Sequence, residues 1–145
     1  MTRSADRLDA FTYGYAFTML WANTRDGDRE VYAEDWQTPG EGWELDAFTP
    51  AARAQIAEDC GDFMLANMRD LIANARITLE RGGYYSTDER AWRQAGADFA
   101  LTRNGHGAGF WDNAMGAVGD RLTSAAHVYG SSNGEVTADG PVELV

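Results

Sequence analysis

The chain has 145 residues, with 12 basic and 23 acidic side chains and a formal net charge of -11 at pH 7. This length predicts one domain with its own core, and the negative charge disfavours direct binding to nucleic acid or to an anionic membrane surface. A single cysteine excludes an internal disulfide and a zinc site made of several cysteines.

The N-terminal third combines a helix with an acidic stretch. Apolar residues at three- and four-residue spacings predict a helix over 7–24. Residues 25–48 show no clear period and hold eight carboxylates against two arginines. We expect a long loop there with short strands or helical turns, and loops of this length are commonly functional.

The middle of the chain predicts two helices. Thr49 and Pro50 are favourable at the start of a helix, and an apolar stripe continues over 50–76, which we expect to be the longest helix. A capping box that starts at Ser86 predicts a short helix to about Ala95, ended by Gly96.

The C-terminal part predicts two hairpins joined by a helix. Asn104-Gly105 favours a tight turn in a hairpin over 98–112, and Asp139-Gly140 favours another over 134–145. Between them, Asp112 or Asn113 would cap a helix that stops at Gly130. The expected class is α+β, in which three or four helices pack on a small antiparallel sheet built from the two hairpins.

The first hairpin is a candidate ligand site. Its glycines could expose backbone N–H groups to an anion beside Arg103, which suggests a nucleotide-like ligand. His106 would lie in the turn, several residues along the ladder from Asp112, and this separation weakens a paired general base. The structural alternative is a turn in which Arg103 pairs with Asp112, Asp98 or Asp120. The candidate ligand residues are Arg103, Asn104, His106, Trp111 and Asp112.

The same segment carries a resemblance. Leu-Thr-Arg-Asn-Gly-His-Gly-Ala-Gly-Phe-Trp-Asp at 101–112, Gly-Asp-Arg-Leu-Thr at 119–123 and Ala-His-Val-Tyr-Gly at 126–130 resemble a family of small acidic proteins of bacteriophages and mobile elements. The resemblance covers about residues 98–140. It implies a mobile-element setting and no particular mechanism.

The acidic stretch is the other candidate site. Spaced carboxylates can imitate the phosphates of a duplex, and tryptophan is a common interface anchor. We therefore expect an anti-defence protein of the anti-CRISPR or anti-restriction type that binds a basic host protein or ribonucleoprotein complex. The candidate partner-binding residues are Asp26, Asp28, Glu30, Glu34, Asp35, Trp36, Glu41, Trp43, Glu44 and Asp46.

Two alternatives stay open. One is a small enzyme or ligand-binding domain that uses the 98–112 hairpin, and the other is an accessory protein whose exposed hairpin mediates oligomerisation. We expect neither a metal nor a cofactor, no direct binding to nucleic acid or membrane, and a location in the cytoplasm of a bacterial host. The sequence leaves the oligomeric state open.

Overall fold

Helices form most of the part of the chain that the computed structural model describes, which is residues 4–26, 29–30 and 43–145. In chain order the elements are α1 (Ser4–Ala22), β1 (Thr24–Asp26), β2 (Arg29–Glu30), α2 (Trp43–Asp46), α3 (Pro50–Ala66), α4 (Met68–Arg81), α5 (Asp88–Arg103), a 3-10 helix (Phe110–Asn113), α6 (Ala117–His127), β3 (Gly134–Val136) and β4 (Val142–Leu144). The α+β class is confirmed. The described residues form five longer helices where three or four were expected.

The centre of the fold is the contact between α1 and α5, whose backbones lie against each other. A Cβ atom at Gly14 would collide with the carbonyl oxygen of Arg93, and a Cβ atom at Gly96 would collide with that of Phe11. Both glycines are fully covered by the neighbouring helix. Glycine disfavours a helix by itself, and here it permits an approach that no other residue would allow.

Aromatic rings fill the core between these helices and α3. Phe63 stacks on Phe99 with ring centroids 4.0 Å apart, and Phe110 lies 6.0 Å from Phe63. Three residues of the predicted apolar stripe over 50–76, Ile56, Phe63 and Leu71, lie in this core and are each at most 1% exposed.

The single helix predicted over 50–76 is wrong, although its start is confirmed. Thr49 Oγ1 accepts a hydrogen bond from the backbone N–H of Ala52, as an N-cap should. The helix ends at Ala66, because Asn67 leaves helical geometry and its side-chain amide donates to the carbonyl of Phe63 at 2.9 Å. Among the described helices α1, with 19 residues, is the longest.

The hairpin predicted over 98–112 is also wrong, because α5 continues through Gly96 to Arg103. Asn104-Gly105 ends this helix. The N–H of His106 donates to the carbonyl of Leu101 at 3.0 Å, and that of Gly105 donates to the carbonyl of Thr102 at 3.2 Å. With φ of 74° at Gly105, these bonds form a Schellman motif.

The predicted helix starts also need correction. Thr87, and not Ser86, caps α5 by accepting a hydrogen bond from the N–H of Arg90. Asp112 and Asn113 lie in the 3-10 helix, and α6 begins only after Gly116.

Of the two predicted hairpins, the sheet contains only the second. The hairpin within 134–145 is confirmed by the antiparallel pair β3–β4. Its neighbour is β1, which runs parallel to β3 and antiparallel to β2, so the sheet is mixed and not purely antiparallel. The helices were expected to pack on the sheet, but the last of them, α6, packs chiefly on α4, α5 and the 3-10 helix.

Candidate functional site

Arg103 lies in the core and not on an exposed hairpin. Its Nη1 donates to Asp59 Oδ2 at 2.8 Å and to the hydroxyl of Tyr15 at 3.1 Å, and its Nε donates to the carbonyl of Gly130 at 2.8 Å. Nη2 donates to the carbonyl of Tyr129 at 3.2 Å. The arginine therefore ties α5 to α1, α3 and the segment after α6. The predicted ion-pair partners Asp98, Asp112 and Asp120 are replaced by Asp59.

The Tyr15 hydroxyl and the Cys60 thiol, both near this ion pair, stay protonated at neutral pH. Burial raises the pKa of the Tyr15 hydroxyl well above its usual range, which the neighbouring Arg103 only partly opposes. Burial likewise raises the pKa of the Cys60 thiol. Cys60 is fully buried, as expected for a small core residue, and a protonated thiol is a poor nucleophile.

Asn104 and His106 lie together at the edge of a cavity of about 480 Å³. Asn104 is held on both sides, since its Nδ2 donates to the carbonyl of Ala100 at 2.9 Å and its Oδ1 accepts from the N–H of Ser132 at 2.7 Å. His106 Nε2 is hydrogen-bonded to Asn23 Oδ1. This bond joins the end of α5 to the end of α1.

The cavity lies where the C-terminal ends of α1 and α5 meet the sheet. Helix C-termini leave carbonyl groups without intrahelical partners, so this junction is polar. Asn23 Nδ2 is buried and has no hydrogen-bond partner among the described residues. The polar and aromatic residues that line the cavity are Trp21, Asn23, Thr24, Arg25, Asn104, His106, Asn133 and Glu135.

Trp111 and Asp112 lie on a different part of the surface. Both are exposed in the 3-10 helix, and among the described residues neither they nor Arg103 line the cavity. The structure thus brings together two of the five candidate ligand residues, Asn104 and His106.

Asp98 is a buried carboxyl group beneath the 3-10 helix. Its Oδ1 accepts from Gln94 Nε2 at 3.0 Å, and its Oδ2 accepts from Asn113 Nδ2 at 2.8 Å. Burial raises its pKa to about 7, with the charge of nearby Asp112 adding to the rise and the two amide hydrogen bonds opposing it. Asp98 holds the 3-10 helix on α5 with a carboxyl group that titrates near neutral pH.

The acidic stretch falls partly outside the described residues. Asp28, Glu34, Asp35, Trp36 and Glu41 lie outside them. Asp26 and Glu30 have their backbone in β1 and β2, while Trp43 and Glu44 have theirs in α2. Asp46 ends α2, and its highly exposed side chain lies 3.5 Å from Arg53.

The described part adds acidic residues that the sequence did not single out. Glu135 of β3 and Glu143 of β4 are directly opposite each other, and Arg25 of β1 is the other neighbour of Glu135. Paired residues share a face of a sheet, and all three side chains are exposed. The outer face of the sheet therefore carries a row of charges with two carboxylates side by side.

Sequence reasoning missed most of the cavity. Arg25 was counted with the acidic stretch, and Asn23 and Glu135 were given no role. Trp21, on the first helix, is 43% exposed. The signal that existed was the position of Asn23 and Thr24 just after a helix, where polar side chains commonly bond to free backbone groups.

Comparisons of the chain with models of protein families, with curated protein sequences and with solved structures find no match. Among the described residues, no helix is both long enough and apolar enough to cross a lipid bilayer. In the same part of the chain, no group of three His, Cys, Asp or Glu side chains is placed to hold a metal ion.

Proposed function

We propose that the chain is a binding protein that docks an acidic surface into a basic, nucleic-acid-binding groove of a partner protein. The observation that carries the proposal is the pair Glu135–Glu143, two exposed carboxylates directly opposite each other on neighbouring strands. Like charges in this position destabilise a sheet. A surface that keeps them is suited to a basic partner, whose attraction to both carboxylates offsets their mutual repulsion.

The partner class follows from the same charge and from the resemblance to proteins of mobile elements. A CRISPR effector or a restriction enzyme of the bacterial host has a basic groove for nucleic acid, and a small protein with net charge -11 can compete for it. The backbones of Asp26 and Glu30, two residues of the acidic stretch, lie in β1 and β2 of the same sheet.

Phage plating on hosts with and without a defence system tests the proposal. Expression of the chain should raise plating efficiency on at least one defended host and leave the matched undefended host unchanged. An unchanged efficiency across a panel of CRISPR and restriction systems would contradict the anti-defence role.

The role of the charge is tested with two double variants of equal net charge. Glu135→Gln with Glu143→Gln should weaken binding to the captured partner several-fold, on the order of 3- to 10-fold, and make the salt dependence shallower. Glu80→Gln with Asp120→Asn, on exposed positions of α4 and α6, should leave binding nearly unchanged. Equal losses from both variants would mean that overall charge, and not this face, drives binding.

The cavity favours a second candidate, a binding domain for a nucleotide-like anion. Trp21 offers a ring for stacking, Arg25 a positive charge that the neighbouring Glu135 partly offsets, and His106 with Asn23 a polar wall. Uridine monophosphate and adenosine monophosphate are suitable probes, because each carries a base and a phosphate. A ligand at about 100 times its Kd stabilises a protein by about 2.7 kcal/mol, which raises its melting temperature. A melting temperature that neither probe raises, or raises equally in Trp21→Ala, would remove this candidate.

A further inference from the structure

A stripe of aromatic rings, half-buried at Tyr13 and exposed at Phe17 and Trp21, runs along α1 on the side away from the core. Tyr13, Phe17 and Trp21 follow one another at four-residue spacing and so share one face of the helix. Phe17 is 37% exposed and Trp21 is 43% exposed, and beside them Tyr84 and Tyr85 are 68% and 44% exposed. Large aromatic side chains in one exposed patch are typical of an interaction site.

The patch is a groove of about 470 Å³ and not a flat surface. Its first wall is the aromatic stripe of α1, its second wall is formed by Ala97 and Leu101 of α5, and Tyr84 and Tyr85 before α5 also line it. We call it the aromatic groove. Since α1 and α5 touch through their glycines, the space between them suits the apolar ridge of a third helix.

The length of the stripe sets the size of the occupant. Tyr13 and Trp21 are eight residues apart, or about 12 Å along the helix axis. An amphipathic helix laid along the groove would need apolar side chains over at least two to three turns to cover it.

Charge decides the character of the occupant. Arg93 at the groove lies over the ring of Tyr13 at 4.2 Å, and Arg90 lies over Tyr84 at 4.4 Å. The chain's own guanidinium groups therefore already cover the ring faces of Tyr13 and Tyr84, and Trp21 and Tyr85 have no such arginine contact among the described residues. Glu89 is 2.7 Å from Arg93 and offsets its charge, and Asp9 lies exposed one turn before Tyr13.

A second copy of the chain is a poor occupant. Two molecules that each carry a net charge of -11 repel each other. A helix with basic residues along the borders of an apolar face is attracted by the same charge, and its cations can lie over Trp21 and Tyr85.

We infer that the aromatic groove docks a basic amphipathic helix of the partner protein, with Phe17 and Trp21 as the main anchors. The inference rests on the proposed function in one respect, the basic character of the partner. It assigns the hydrophobic anchor of the complex to α1 and α5, whereas the proposed function uses the acidic face of the sheet.

Labelled peptides test the inference without knowledge of the partner. The probe is a Leu/Lys peptide of about 18 residues with an amphipathic helical pattern, and the matched peptides are a scrambled order and a Leu/Glu version. Fluorescence anisotropy with the full chain at about 150 mM salt, where the Debye length is about 8 Å, should show binding of the Leu/Lys helix only. The double variant Phe17→Ala with Trp21→Ala should weaken it by about tenfold or more.

Two controls separate the groove from general attraction to an acidic protein. Trp111→Ala removes a tryptophan that is 52% exposed in the 3-10 helix, and it should change the peptide affinity by less than about twofold. Glu80→Gln with Asp120→Asn, which removes two exposed charges outside the groove, should also retain peptide binding. The acidic face is tested by its own variants, so failure of the acidic-face proposal is seen separately. Circular dichroism confirms that each variant is folded.

Four results would overturn the inference. They are no binding of the Leu/Lys helix, equal losses from Trp111→Ala and the groove variant, preference for the Leu/Glu peptide, and a dimer in sedimentation that Phe17→Ala with Trp21→Ala converts to monomers. The last would make the groove a contact between two copies of the chain.

Discussion

At the scale of single residues, the fold depends on polar groups buried in its interior. Arg103 joins four segments of the chain through side-chain hydrogen bonds, and Asp98 fixes the 3-10 helix. Both lie within the segment that the sequence marks as most distinctive. Both residues therefore stabilise the core, whereas the predicted surface hairpin would have left them exposed.

Arg103→Ala should destabilise the protein strongly. It leaves the Asp59 carboxylate, whose side chain is 14% exposed, without its cation and frees two carbonyl groups. Removing one partner of a buried ion pair costs about 3–5 kcal/mol. Urea unfolding measures this, and Arg53→Ala, which breaks the exposed pair with Asp46, should cost less than about 1 kcal/mol. Similar small losses for both variants would place Arg103 outside the core.

Asp98→Asn should change how stability depends on pH. The folded pKa of Asp98, about 7, is above its unfolded value of 3.8. Folding is therefore favoured while the carboxyl is protonated, and this contribution falls as pH rises from about 4 to about 7, by up to about 4 kcal/mol. Asparagine mimics the protonated acid, and Gln94 or Asn113 can turn its amide to accept the new N–H.

Unfolding by urea at pH 5 and pH 8 measures that dependence. The stability of Asp98→Asn relative to the wild type should be higher at pH 8 than at pH 5, by roughly 2–3 kcal/mol, because the folded wild type loses its proton between these values while the unfolded chain is ionised at both. A difference that is the same at both values would show that Asp98 does not titrate in this range. Other carboxylates titrate in both the wild type and the variant, so their contributions cancel in the difference between the two unfolding free energies.

At the scale of elements, the close approach of α1 and α5 is the most demanding contact. Gly96→Ala would place a methyl group against the backbone of Phe11, and backbone cannot move aside as a side chain can. Overpacking of this kind costs about 1–3 kcal/mol or more. Gly61→Ala is the matched control, because its Cβ would meet nothing within 4 Å in α3 and should stabilise the helix by up to about 1 kcal/mol.

The unfolding free energies of the two alanine variants should thus change in opposite directions. Stabilisation by both would mean that α1 and α5 lie further apart. Loss of stability by both would mean that α3 has no space at Gly61.

Predictions of helices and strands were confirmed where adjacent residues determine the structure. They were wrong where the same short sequence is compatible with two structures. Thr49 and Pro50 begin α3 because capping depends on adjacent residues. Asn104-Gly105 fits both a hairpin turn and a helix end, since each needs positive φ at Gly105. In the structure Asn104 has φ of -93°, which a type I′ turn would not tolerate. The spacing of Ala91, Ala95 and Phe99 continues the helix and was the better guide.

The site was predictable to a smaller extent than the fold. Asn104 and His106 were predicted as ligand residues of a hairpin turn, and the structure instead places both at a polar cavity beside the end of α5. Asn23 and Glu135 come from distant segments, and the parallel pairing of β1 with β3 that brings them together has no local signal. The exposed side of α1 was missed because periodicity marks apolar residues without saying which of them the core covers.

At the scale of the whole molecule, net charge governs encounters. Several arginines are already neutralised by acidic neighbours, as in the pairs Arg93–Glu89, Arg103–Asp59 and Arg121–Asp70. The side chain of Arg103 is only 5% exposed. The cations that remain available for an outside partner are thus fewer than the 12 basic residues of the sequence.

We therefore expect no binding to duplex DNA at physiological salt. Affinity for a duplex comes mainly from cations that displace the counterions of its phosphates, and a net charge of -11 repels the polyanion before contact. In a gel-shift assay at about 150 mM salt, a duplex should stay unshifted at micromolar protein, on the order of 10 µM. A shift under these conditions would show a local cluster of arginines strong enough to overcome the overall charge. It would also remove the basis for a protein that competes with nucleic acid by resembling it.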